Sequence, residues 1–334
     1  MDNYAYINAR VSILANNLLS ETQLRNLLEQ DAFSFQDDEL NKLFNDNKIS
    51  SSLIEQAWLI RILADFQILL RPLAMVERNL LLYWFRKWDI ANLKTIVRGK
   101  IAGLDIMAIS KQLIELGTLS ALPIEQLLHS EDVGELLRRL EHGPYNNIAQ
   151  QTRRVFEKEH QLYSLDAAID RHYMLGFVRQ IMTLNMVQRR HILPLISIFI
   201  DRFNLLWLLR YRFAYNLSAA ETYYLLIPTS FRLNRNLLQK IVKLDSLVEV
   251  LEHLPEPFYS LLSEAESTFM VDQRLIKEVH RVAEVTLKLH SFTLAKVFAY
   301  ILLRETEMRR VMAILKGKRL NLNKEIILPD ITQK

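Results

Sequence analysis

The 334-residue chain contains no cysteine, which excludes disulfides, thiolate metal sites and thiol nucleophiles and fits a reducing compartment. Glycine is scarce at 7 and proline at 8, so little of the turn chemistry that β-hairpins need is present. Long apolar runs are missing too. Residues 192–200 and 80–85 are cut by Asp201, Arg202, Arg78 and Arg86, short of the roughly 18 residues a membrane span needs, so no transmembrane helix is expected. The opening MDNYAYINARV carries Asp2 and Arg10 and lacks the continuous apolar stretch of a signal peptide.

Several chemistry-bearing patterns are likewise absent. There is no GxxxxGK[ST], GxGxxG, GxSxG or HExxH, and no two of the eight histidines stand at i,i+4 with a carboxylate ligand. Phosphate-cradling loops, hydrolase elbows and metal centres are not expected by spacing, and no cofactor is implied. His191 and Asp201 fall in one region without a nucleophile, so a surface histidine and a helix-start aspartate are the simpler reading. The net charge of +4 is small and its bases are interleaved with acids, so no nucleic-acid partner is expected.

What is present is apolar and helix-forming. Half the residues are hydrophobic, and the abundance of Leu, Ile, Arg, Glu and Gln predicts an all-α protein. Ser20 with Gln23 reads as a capping box, Ser52 as an N-cap, and the Arg71-Pro72 step as a break between two long helices ending near Lys100. A short helix is expected over 105–116, closed by Gly117. Further long helical patterns run over 148–186, 193–215, 271–289 and 292–318. A short tail to Lys334 follows.

The stretch WDIANLKTIVRGKIAGL, residues 88–104, returns twice. Asp89, Asn92, Arg98 and Lys100 are matched by Asp201, Asn204, Arg210 and Arg212, and again by Glu307, Arg310, Lys316 and Lys318, at unchanged internal spacing. Leu93, Ile96 and Val97 recur as Leu205, Leu208 and Leu209, then Val311, Ile314 and Leu315, on one helical face. A second motif, Leu28-Glu29-Gln30, Leu140-Glu141-His142 and Leu251-Glu252-His253, has a similar period. Together they predict an ancestral triplication into units 1–117, 118–230 and 231–334, with no Ser- or Gly-rich linker between them.

The repeated charges admit two readings. Acids early in a helix and bases in its last turn complement the macrodipole, at roughly 0.3–1 kcal/mol each. Alternatively, Arg98, Lys100, Arg210, Arg212, Lys316 and Lys318 meet about a pseudo-three-fold axis and face an acidic partner. The aromatic groups Tyr83-Trp84-Phe85 and 211–213, interleaved with arginines, fit a helical core better than a base-stacking surface.

The triplicated plan, with YAYINARV at 4–11, NLKTIVRGKIAGL at 92–104, ETEMRRVMAILKGK at 305–318 and the LLSE and LLHSE segments near Leu18 and Leu127, resembles the C subunit of V/A-type rotary ATPases, whose eukaryotic V-ATPase counterpart is the d subunit. The resemblance covers the whole chain. It implies three similar helical domains about a pseudo-three-fold axis, forming a funnel on the cytoplasmic face of the membrane. Such a funnel is a non-catalytic socket between the central-axle subunits and the proteolipid ring, present as one copy per complex. The chain departs from the family pattern at Ile227-Pro228-Thr229-Ser230, where glycine is expected after the proline, and at Arg310, where asparagine is expected. A helical-repeat scaffold unrelated to ATPases and a helical enzyme are the rival readings; the first would be elongated, and the second needs convergent titrating groups.

Overall fold

The computed structural model describes residues 2–159, 162–228 and 231–331. Thr229-Ser230 and the end of the tail lie outside them. Among the described residues there is no β-strand, as the composition predicts, and the chain forms two compact units.

One unit comprises Met75–Asn185 and Ala220–Pro228. Its longest helix, Met75–Ile101, packs along Leu162–Met182, which in turn packs against Asn146–Glu159. Trp84 and Phe177, 1% and 0% exposed, meet with ring centroids 5.1 Å apart. Tyr83 stacks on Tyr173, whose hydroxyl donates to the Trp84 carbonyl at 2.9 Å. This close approach requires Gly176: a Cβ there would overlap the Tyr83 hydroxyl. Lys94 clamps both oxygens of Asp170 at 2.8 and 2.9 Å. The aromatic triplet is therefore core, with Trp84 and Phe85 buried.

The other unit comprises Met1–Ala74, Met186–Ala219 and Thr229–Lys334. At its centre is Leu294–Arg319, a helix buried all round through its first three turns, Lys296 included. It contacts Asp2–Asn16, Ser51–Leu70, Met186–Leu209 and Thr268–Leu289. The inward polar groups near its start are engaged: Lys296 donates to Asn8 and Ser12 at 2.8 and 3.0 Å, and Tyr300 to Asp65 at 2.6 Å. Phe33, Phe35 and Phe44 close over Trp58 in a mostly edge-to-face cluster.

Several boundaries move from their sequence-based positions. The Ser20–Gln23 capping box is present, but Ser50, not Ser52, caps Ser51–Leu70 by accepting from the Leu53 amide at 3.3 Å. Within the pattern over 148–186, the described residues are helical over Asn146–Glu159 and Leu162–Met182. The helix expected from 193 begins at Met186 and carries Pro194 in its interior, where the Ser197 hydroxyl donates to the Pro194 carbonyl at 3.0 Å. The helix then widens into a π turn at Arg210–Ala214. Over Met186–Ala214, length and mean hydropathy reach what a membrane span requires; 61% of its most apolar window is buried within the protein.

Candidate functional site

The acid of each repeated pattern lies in mid-helix and inside the protein: Asp89 and Asp201 are 0% exposed and Glu307 4%. Their helices start at Met75, Met186 and Leu294, about three to four turns upstream. The helix-start reading is thereby overturned, since a charge so deep in a helix gains nothing from that helix's dipole. A buried carboxylate must instead find donors, and each finds a backbone N–H just ahead of a short helix. Asp89 accepts from Ala121 at 2.9 Å, ahead of Ile124–Leu128. Asp201 accepts from Leu233 at 3.2 Å, ahead of Arg235–Ile241. Glu307 accepts from Leu19 at 2.6 Å, ahead of Glu21–Glu29.

The inner base of each pattern, Lys100, Arg212 or Lys318, reaches the far end of the same short helix. Lys100 Nζ donates to the carbonyls of Leu128 and Ser130 at 3.0 and 2.5 Å. Arg212 donates to Val242 at 2.8 Å and to Leu244 at 3.4 Å, with a further bond to Leu217 at 2.9 Å. Lys318 donates to the carbonyl of Gln30 and sits 4.6 Å from the Phe33 ring centroid. Such carbonyls have no partner within their own helix, and a cation there also complements the dipole. The macrodipole argument therefore applies to the helix that is gripped, not to the one that grips. Burial lowers the pKa of both Lys100 and Lys318, in keeping with this use.

The three staples are satisfied unequally. Asp89 also accepts from the Ser120 hydroxyl at 2.6 Å and from Tyr145, and burial beside that carboxylate raises the Tyr145 pKa. Glu307 pairs with Arg304. Asp201 relies on backbone amides; its second oxygen is buried without a hydrogen-bond partner among the described residues, and burial pushes its pKa up to about 7.

The outer bases behave differently. Arg98 is exposed and pairs with Asp166, Lys316 is exposed 3.6 Å from Glu55, and Arg210 is exposed with no ion pair among the described residues. Of the six bases singled out by repetition, three are thus committed to the fold and three face solvent.

The intervening positions carry a signal that spacing alone did not reveal. Gly99 and Gly317 are buried, and a Cβ at either would collide with an isoleucine ten residues on, Ile109 or Ile327. In the second pattern the buried Tyr211 stands there and the π turn begins beside it. Asn92 exchanges two hydrogen bonds with the backbone of Ile114, at 2.8 and 2.7 Å. Asn204 is also fully buried, and Arg310 takes the corresponding place in the third pattern. The Leu-Glu motif does not mark equivalent places: Leu28 lies in a stapled helix, whereas Leu140 and Leu251 lie one helix beyond it. His191 is half-buried against His290, with ring nitrogens 3.1 Å apart.

Similarity to known proteins extends over almost the whole chain. The family described as ATP synthase (C/AC39) subunit matches residues 7–329. The chain belongs to that family. Among similar proteins, the C subunit of the A-type ATP synthase from Methanocaldococcus jannaschii is 25% identical over 97% of this chain and 85% of its own length. That of Thermococcus kodakarensis is 26% identical over 94% and 86%, and that of Methanothermobacter thermautotrophicus 23% over 95% and 84%. No group of three or more metal-ligating side chains occurs among the described residues. The buried acids and inner bases of this family member are occupied in holding its helices together.

Proposed function

We propose that the chain is the central-stalk socket of a V/A-type rotary ATPase, seated peripherally on the cytoplasmic face of the membrane and joining the axle subunits to the proteolipid ring. In this reading it catalyses nothing itself and transmits torque during ATP-driven or ATP-synthesising transport of protons or sodium. The observation that carries it is the family match over nearly the whole chain, together with the three staples. In the proposed units 1–117, 118–230 and 231–334, every staple runs from one unit to the next: Asp89 and Lys100 to 121–130, Asp201 and Arg212 to 233–244, Glu307 and Lys318 back to 19–30. In the compact units of the structure each staple is internal, the first to the unit of Met75–Asn185 and Ala220–Pro228 and the other two to the unit that includes Met186–Ala219; three similar domains about a pseudo-three-fold axis, the funnel, are what the resemblance implies. Short helices pinned at both ends suit a part that must turn without twisting.

Arg98, Arg210 and Lys316, exposed at corresponding helix ends, are the proposed partner contacts; Lys100, Arg212 and Lys318 support them from within. The test is to strip the chain from the assembled complex and measure ATP hydrolysis and ion transport separately. A socket leaves hydrolysis in the catalytic head and abolishes transport, which returns when the chain is added back. Loss of hydrolysis with the isolated head otherwise intact would contradict the non-catalytic role.

A further inference from the structure

The third staple contains a buried guanidinium with no direct ion pair among the described residues. Where the other two patterns have Asn92 and Asn204, the third has Arg310, 7% exposed. Its Nη1 faces the Nε2 of His280 at 3.1 Å. That ring is neutral, because burial and the guanidinium push its pKa down to about 3. Among the described residues no carboxylate forms an ion pair with Arg310.

The guanidinium lines a cavity of about 210 Å³ between the N-terminal segment around Leu18–Leu24 and the helices Thr268–Leu289 and Leu294–Arg319. Three acids share its walls, and none neutralises Arg310 directly. Glu307 is taken by Arg304 and the Leu19 amide, and Glu21 by Arg25 at 2.7 Å. Glu284 lies 4.0 Å from His280 and, like Glu21, acts on Arg310 only through space, while Arg309 adds positive charge. Lys288 brings a second cation to the wall. Burying a guanidinium without a directly bonded counter-charge is costly, and its planar fork matches the oxygens of a carboxylate or phosphate.

We propose that this cavity is a binding site for a small oxyanion, with phosphate as its representative, held by the Arg310 fork and assisted by Lys288. The volume suits one tetrahedral ion with a few waters and falls short of the roughly 300–1,000 Å³ typical of larger ligands. Because the walls come from the N-terminal segment and two C-terminal helices, a bound anion tightens the joint that Glu307 and Lys318 already pin. The inference rests on this chain's own residues and stands whether or not the socket reading holds.

The experiment titrates the full chain with inorganic phosphate, by calorimetry and by thermal melting, against potassium chloride at equal ionic strength. Wild type is expected to show a saturable heat and a melting point that rises with phosphate beyond the chloride control. Arg310→Asn, which installs the residue of the other two patterns, is expected to melt higher than wild type in chloride and to bind phosphate at least tenfold more weakly. Lys288→Gln, at an exposed position, leaves the fold unaltered and is expected to weaken binding about three- to tenfold, so the proposal remains testable if the Arg310 variant does not fold. A phosphate response no larger than that to chloride, or one that both variants retain within twofold, overturns the site.

Discussion

Asp201, fully buried at the middle of its helix, accepts a hydrogen bond from the Leu233 amide at 3.2 Å, and its other oxygen meets no donor among the described residues. Burial dominates, and the carboxyl titrates near 7 instead of at its ordinary value of 3.8. Between those two values the folded chain holds a proton that the unfolded chain has released. Stability contributed by this group is therefore complete below about pH 4, declines as pH rises toward 7 and is lost above it. The full swing is on the order of 2–4 kcal/mol. Asp201→Asn keeps the acceptor and removes the charge, so urea unfolding should show the variant more stable than wild type at pH 8 and nearly equal at pH 4.5. Equal stabilities at pH 8 would refute the buried-acid account.

Asp89 is the contrasting case. The Ala121 amide and the hydroxyls of Ser120 and Tyr145 all converge on it. Asp89→Ala orphans three donors at once and is expected to cost about 3–5 kcal/mol, more than Asp201→Ala costs at pH 8. Denaturant midpoints of the two variants, read with a probe in each compact unit, check the order.

The inner and outer bases should separate in two assays. Lys100→Met, Arg212→Met and Lys318→Met each strip charge-assisted bonds from helix-end carbonyls and should lower stability by roughly 1–3 kcal/mol. Arg98→Glu, Arg210→Glu and Lys316→Glu touch exposed side chains, where fold stability should change by less than about 1 kcal/mol. Their expected effect is weaker assembly of the complex with a shallower or inverted dependence on salt. Assembly and salt tolerance unaffected by triple reversal would remove them as partner contacts.

Gly176→Ala sets helix propensity against packing. Alanine in place of glycine favours a helix by about 1 kcal/mol, but the added methyl overlaps the Tyr83 hydroxyl and must displace a ring stacked on Tyr173. Overpacking costs typically about 1–3 kcal/mol, so net destabilisation is expected. Thermal melting decides the sign, and recovery in Gly176→Ala/Tyr83→Phe would assign the cost to the hydroxyl.

The helical class, the Ser20 capping box and the repeated polar pattern were all legible before folding, because each depends on spacing within about a dozen residues. The role of that pattern was not. Asp89 and Lys100 grip a segment 28 to 32 residues downstream, and Glu307 and Lys318 grip one near the opposite end of the chain. No local periodicity encodes such pairings. Asp201 reads as an early-turn acid only if its helix opens at 193; the helix opens at Met186 and runs through Pro194, which places Asp201 about four turns in. The Leu-Glu motif misled in the opposite direction, since three buried leucines at equal spacing satisfy a periodicity count even when they occupy non-equivalent helices. Gly99 and Gly317 carried usable information: two of seven glycines at the same place in a repeat point to a close approach of neighbouring segments.

The central claim is that this chain couples other subunits. The most direct measurement tags it, solubilises membranes in mild detergent and identifies by mass what remains bound. The account predicts recovery of a small proteolipid together with axle and catalytic-head subunits. Recovery of the chain alone, with an intact rotary ATPase in the same membranes lacking it, would contradict the account.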